Sequence, residues 1–148
     1  QNHFMLCFTG VTRIASDVVV AQLDNIKNVS SHYIKIRELV EEALSVLKKP
    51  NTPIIEIGKL LHESWLLKRE LSSTITNPEI DSIYQAGLDA GAIGGKILGA
   101  GGGGFILFFA QPEVHPIIRE KLKHLIQVPF KFESAGSKIV LYEPNGFS

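Results

Sequence analysis

The run Gly99-Ala100-Gly101-Gly102-Gly103-Gly104 constrains this chain more than any other stretch, and the apolar Phe105-Ile106-Leu107-Phe108-Phe109 follows it at once. An ordered glycine costs roughly 0.5–1 kcal/mol relative to alanine, because it loses the most backbone freedom. Such a run therefore needs a use for bare backbone. Successive N–H groups without side chains can converge on an anion such as phosphate. The run reads as a phosphate-handling loop wedged between core strands, with a glycine hairpin packed tightly against a helix as the plainer alternative.

Two sharper nucleotide readings fail on context. The run matches G-x-G-x-x-G, but that fingerprint needs a strand before it and a helix after it. Here a strand follows. No Gly-Lys-Ser/Thr closes the loop, which excludes a P-loop.

The 148 residues suffice for one domain with a real core. Lys+Arg and Asp+Glu both number 15, giving a formal net charge of zero. Binding to nucleic acid through bulk positive charge is thereby disfavoured. No apolar run reaches the roughly 18 residues of a membrane span, and the opening residues do not read as a signal peptide. The single Cys7 cannot form an internal disulfide, which fits the cytoplasm. Residue 1 is Gln and a strand begins almost immediately, so the expectation is a piece of a longer protein.

Along the chain, Phe4 to Thr9 reads as a buried strand ended by Gly10. Thr12 is a candidate cap for a helix that breaks near Asn28 to Ser31 and resumes to Lys48. Thr52-Pro53 and Asn77-Pro78 each combine a capping residue with proline at the first helical position. The helices they open run through Leu71 and to just before Gly91. Gly94 to Leu98 and Phe105 to Ala110 read as strands flanking the loop. Pro112 opens a helix with apolar positions to Ile126. Val128, Phe130 and Phe132 alternate with Pro129, Lys131 and Glu133, a strand pattern. Ile139 to Tyr142 closes the sheet, and a frayed tail follows from Glu143. The expected fold is α+β: an antiparallel, ferredoxin-like sheet with helices packed on one face, forming a single domain over 1–148.

Other candidate sites divide into bland and chemical readings. His62-Glu63 lacks the second histidine of a zinc-protease motif, since Leu66 stands where it is needed. His3, His32, His62, His115 and His124 are scattered and read as surface or boundary residues, without metal-ligand spacing. Cys7 and Trp65 read as core. Lys68 and Arg69 end a helix, where cations favour the dipole, but Arg can also grip phosphate with two hydrogen bonds. Arg13 and Ser16, just after the first strand, carry the same ambiguity.

With these residues in place, Lys96-Ile97-Leu98-Gly99-Ala100-Gly101-Gly102-Gly103-Gly104 resembles the third motif of the GHMP small-molecule kinases, roughly K-x-T/S-G-A-G-x-G-G-C. Leu98 and Phe105 depart from it. Phe8-Thr9-Gly10-Val11-Thr12-Arg13, Leu67-Lys68-Arg69-Glu70-Leu71-Ser72, Ile75-Thr76-Asn77-Pro78-Glu79-Ile80-Asp81 and Gly91-Ala92-Ile93-Gly94-Gly95-Lys96 resemble the heptose 7-phosphate kinase branch. Related sugar-1-kinases such as fucokinases share similar ends. The family's nucleotide loop, P-x-x-x-G-L-G-S-S, does not occur in these residues.

The resemblance implies a C-terminal domain of a cytoplasmic sugar kinase that uses ATP and Mg²⁺ to phosphorylate the anomeric hydroxyl of a sugar phosphate. It implies that an N-terminal domain of the same protein brings the nucleotide loop, the metal ligand and any catalytic aspartate, and that the fragment alone is inactive. Phosphate and substrate contacts then fall to Gly99, Ala100, Gly101, Gly102 and Gly103, with Lys96 bracing the loop or reaching phosphate, and Lys68, Arg69 and Arg13 on the sugar phosphate. No metal site is expected on this chain, and a homodimer is left open. A non-catalytic ferredoxin-like regulatory or assembly module is the competing class.

Overall fold

A computed structural model describes residues 1–139. Four strands and five α-helices follow in order: β1 (Phe4–Phe8), α1 (Ala15–Asn25), α2 (Ser30–Lys48), α3 (Ile55–Arg69), α4 (Pro78–Asp89), β2 (Gly94–Ile97), β3 (Phe105–Phe109), α5 (His115–Lys121) and β4 (Ile126–Val128). A short 3₁₀ turn, Pro112–Val114, leads into α5. The sheet order is β2-β3-β1-β4, antiparallel throughout, with Phe8 opposite Phe105 and Ile97 opposite Ile106. This is the expected ferredoxin-like α+β arrangement.

Side chains alternate across a strand, so one register decides one face. Met5 and Cys7 of β1, Ile97 of β2, and Ile106 and Phe108 of β3 are all buried. They join Trp65 of α3, Ile80, Ile83 and Tyr84 of α4, and Ile118 and Leu122 in and just after α5 in one core. Cys7 and Trp65 are core residues, as read from the sequence. α4 lies so close to the sheet that a Cβ on Gly87 would collide with the Phe108 ring. Among the described residues no helix is long and apolar enough to cross a membrane.

Several local expectations are corrected. Asn77 does cap α4, its Oδ1 accepting from the Ile80 N–H at 2.9 Å, with Pro78 at the first position. Thr12 caps nothing: α1 starts at Ala15 after an extended Ile14. Thr52 does not cap α3 either. There the first turn closes with i,i+3 bonds, Glu56 N to Pro53 O and Ile57 N to Ile54 O, so regular helix begins at Ile55. The helix read to Ile126 stops at Lys121, because the chain turns at Leu122 to bring Val128 opposite Leu6.

The strand read over Val128, Phe130 and Phe132 ends at Val128. Pro129 has no N–H for the ladder. The Gln1 side chain substitutes for it, donating from Nε2 to Phe130 O at 3.0 Å and accepting at Oε1 from Phe132 N at 3.2 Å. Of the strand expected over 139–142 only Ile139 is described, and it is not in a strand. The remainder and the tail from 143 lie outside the described residues.

Candidate functional site

β2 and β3 form a hairpin, closed by the Leu98 N–H donating to Phe105 O at 2.8 Å. Its loop is the glycine run, so the plainer hairpin form is present. Close packing explains three of its glycines, and at Gly103 a Cβ would collide with Val11 O. Gly101 has φ +115°, and a Cβ there would stand 3.0 Å from backbone atoms of Ile75. Gly102 has φ +75°, and a Cβ would stand 3.0 Å from Thr74 O and 3.3 Å from Arg13 Cδ. Neither the conformation nor the space suits a side chain.

The loop's polar groups are divided. The Gly102 N–H donates to Ile75 O and the Gly104 N–H to Val11 O, both at 2.7 Å. Gly104 O accepts from Thr9 N and from Thr9 Oγ1, each at 2.8 Å. Gly99 O accepts from Lys68 Nζ at 2.5 Å, and Ile97 O lies 3.5 Å from the same ammonium. Ala100 O accepts from Gln22 Nε2 at 2.9 Å. The amides of Gly99, Ala100, Gly101 and Gly103 donate to no acceptor among the described residues. Gly99 is exposed, Ala100 and Gly101 are half-buried and Gly103 is buried. Unengaged amides beside carbonyls that are held elsewhere, as at Gly99 and Ala100, suit anions.

Gly102 is therefore a correction within the expected set. Its N–H is committed to Ile75, and it serves packing. Ala100, Gly101 and Gly103 join Thr12, Arg13, Ala15, Leu98 and Gly104 around a cleft of about 230 Å³. That is below the ~300–1,000 Å³ of sites that bury a drug-sized ligand. It has room for a phosphoryl-sized group and is open to more.

The cations separate. Arg13 is exposed, borders the cleft and has no ion-pair partner among the described residues. The Gly104 N–H holds Val11 against the loop, two residues before Arg13. Arg69 does not face the cleft as a free cation: its Nη2 pairs with Asp81 Oδ2 at 3.0 Å, and Thr76 Oγ1 donates to Asp81 Oδ1 at 2.6 Å, tying α3 to α4.

Lys68 is bound to loop carbonyls, not open for a sugar phosphate. Its pKa is pushed down to about 8, first by burial and then by the charge of Lys96. Lys96 is not the brace. It lies half-buried with Leu44, Leu61 and Ser64 beside an apolar groove between α2 and α3, and burial lowers its pKa.

A larger depression, about 560 Å³, sits at the other end of β1 and includes Gln1, Phe4, Arg119 and Gln127. Its one cation, Arg119, donates from Nε to Gln127 Oε1 at 2.9 Å. His115 is buried against the expectation of a boundary position, and burial lowers its pKa. His62 Nδ1 pairs with Tyr84 OH at 2.6 Å; burial raises that phenol to about 12. Gln22 and Thr9 are the site residues that sequence reasoning missed. Gln22 is an ordinary polar residue on a helix, with no signal that it reaches Ala100. Thr9 carried one faint sign, a polar residue closing an apolar strand.

Comparison with known proteins follows the same geography. Residues 43–125, which include the loop, match the family model described as GHMP kinases C terminal. The chain is 34% identical over 117 residues to the D-glycero-alpha-D-manno-heptose 7-phosphate kinase of Campylobacter jejuni, covering 76% of this chain and 33% of that protein. It is 29% identical over 133 residues to the bifunctional fucokinase/GDP-fucose pyrophosphorylase of Arabidopsis thaliana, covering 86% of this chain and 12% of that protein. The mevalonate kinase of Methanococcus jannaschii superposes with a TM-score of 0.71 at 23% identity, over 84% of this chain and 38% of that one. The chain thus spans about a third or less of the curated relatives it matches here.

Proposed function

The chain belongs to the GHMP kinase family, whose C-terminal domain it represents, and from that premise we propose that it is part of an ATP-dependent sugar kinase. The acceptor we propose is the anomeric hydroxyl of a heptose 7-phosphate, on the strength of the Campylobacter relative. The observation that carries the reading is the set of amides that have no acceptor, beside Arg13 that has no ion-pair partner, among the described residues.

Phosphoryl transfer demands little covalent chemistry from a protein. It is governed by positioning and by stabilising charge on the transferring oxygens. The amides of Ala100, Gly101 and Gly103 supply fixed donors for such oxygens, each worth about 1.5–3 kcal/mol when the acceptor is charged. Arg13 adds a mobile cation at the mouth of the cleft. The small volume of the cleft fits a wall completed by an N-terminal domain of the same protein, which would bring the nucleotide loop. Among the described residues no group of three or more His, Cys, Asp or Glu could hold a metal ion. In this reading the ligands of Mg²⁺ belong to that other domain. The reading puts the enzyme in the cytoplasm, where ATP is available.

The test is a substrate panel on the full-length protein: heptose 7-phosphate, L-fucose, galactose and mevalonate, with ATP consumption and the ³¹P spectrum of the product. Turnover on heptose 7-phosphate giving a 1-phosphate supports the proposal. Preference for fucose, favoured by the Arabidopsis relative, moves the enzyme to the sugar-1-kinases. No transfer to any acceptor rejects the kinase reading.

A further inference from the structure

We infer that Lys68 and Gln22 are a pair of positioning residues: by holding the carbonyls of Gly99 and Ala100, they aim the N–H groups of Ala100 and Gly101. The inference rests on the kinase reading for its chemistry, but its geometry stands alone. In a trans peptide the carbonyl of one residue and the N–H of the next share a plane and point in opposite directions. No peptide bond among the described residues is cis. Whatever fixes the Gly99 carbonyl therefore fixes the Ala100 N–H, and whatever fixes the Ala100 carbonyl fixes the Gly101 N–H.

The two clamps come from different elements. Lys68 lies in the last turn of α3 and reaches Gly99 O, with Ile97 O also near. Gln22 lies on α1 and reaches Ala100 O. The two peptide planes they hold are consecutive, and both of the N–H groups opposite are without acceptors among the described residues. The next amide, that of Gly102, is turned to Ile75, so the clamped pair is bounded on that side by a structural bond. Without the clamps, glycine at 99 and 101 would leave these planes free to rotate.

Charge adds to aim. An ammonium on a carbonyl oxygen polarises the whole peptide and makes the N–H opposite it a better donor, as hydrogen-bonded chains strengthen one another. Lys68 therefore differs from Gln22 in kind: one clamp orients and polarises, the other only orients. Neither side chain needs to touch a substrate.

The test uses the full-length protein with Lys68→Met, Lys68→Arg and Gln22→Ala. Lys68→Met should lower kcat by ~10²-fold, the scale of a misplaced group acting at a distance. KM for ATP and the melting temperature should stay near those of the parent, and Lys68→Arg should recover most of the loss. Gln22→Ala should lower kcat less. A second arm reads the backbone directly, through the ¹H–¹⁵N amide resonances of the loop without substrate. Lys68→Met should move the Ala100 signal, and Gln22→Ala the Gly101 signal, while Gly102 and Gly104 stay in place. Should the parent transfer phosphate to nothing, the kinase reading falls and this arm still decides the inference. Unmoved Ala100 and Gly101 signals would overturn it, as would a loss of turnover in Lys68→Met that tracks only a lowered melting temperature.

Discussion

The two ends of the central strand β1 make an instructive pair. At the Phe4 end lies the roomier depression, about 560 Å³, where Gln1 closes on Phe130 and Phe132 and Arg119 on Gln127, while the buried His115 Nε2 has no hydrogen-bond partner among the described residues. At the Phe8 end the cleft is about 230 Å³, yet it borders three amides, those of Ala100, Gly101 and Gly103, without acceptors and a cation, Arg13, without an ion-pair partner among the described residues. Room alone is poor evidence of chemistry. Unengaged donors are better evidence, because a protein leaves few backbone N–H groups unpaired unless water or a ligand reaches them.

Gly102→Val should break the contrast most severely. The side chain would enter a left-handed conformation 3.0 Å from Thr74 O and push on Arg13. By displacing the neighbouring Gly101 and Gly103 amides it should lower turnover of the full-length enzyme by ~10²-fold or more, the scale of losing positioned donors, and melting should come at lower temperature. Gln127→Ala, at the other end of the strand, should leave turnover unchanged in the same assay.

Arg13→Ala comes next. Losing a charge-assisted contact worth about 1.5–3 kcal/mol should raise KM for the phosphorylated acceptor by ~10-fold or more with a smaller change in kcat. Steady-state kinetics checks this, with Arg119→Ala as the matched control expected to do nothing. Arg69→Ala should separate from both. It removes a half-exposed ion pair with Asp81, so it should cost roughly 0.2–1 kcal/mol of stability and leave KM for the acceptor in place.

The pH response should be the most delicate. Lys68 has a pKa near 8 when folded against 10.5 otherwise. Between those values the unfolded chain binds more protons, so stability should rise with pH across about 8 to 10.5. Lys96, lowered by burial, acts in the same direction. The ammonium on Gly99 O is lost as pH passes 8, so turnover should decline where stability climbs. Melting curves and rate profiles taken together read the two opposite slopes. A fall in both would contradict the assignment.

Much of this was legible in the chain. β1, β2, β3 and the cap at Asn77 rest on apolar runs and on a capping residue placed before proline, signals confined to a few neighbouring residues. Thr52-Pro53 carried the same signal and misled by two residues, because the first turn closed with tighter bonds. Pro129 ended a strand whose alternation continued past it. In the site, the glycine run and Arg13 could be found because they follow strand ends. The partner choices could not. Lys68 meets Gly99 across 31 residues and Gln22 meets Ala100 across 78, so which cation braces the loop and which faces the cleft is decided only by packing. Arg69 looked equivalent to Lys68 in sequence, and Asp81 made the difference.

The central claim is that the loop receives anionic oxygen on a chosen subset of its amides. A titration of the full-length protein with inorganic phosphate, followed by the ¹H–¹⁵N shifts of residues 99 to 104, tests it most directly. The account predicts that Ala100, Gly101 and Gly103 move together with one affinity while Gly102 and Gly104, bound to Ile75 and Val11, hold still. Movement of Gly102 and Gly104 alongside the rest, or no movement in any of the six, would contradict it.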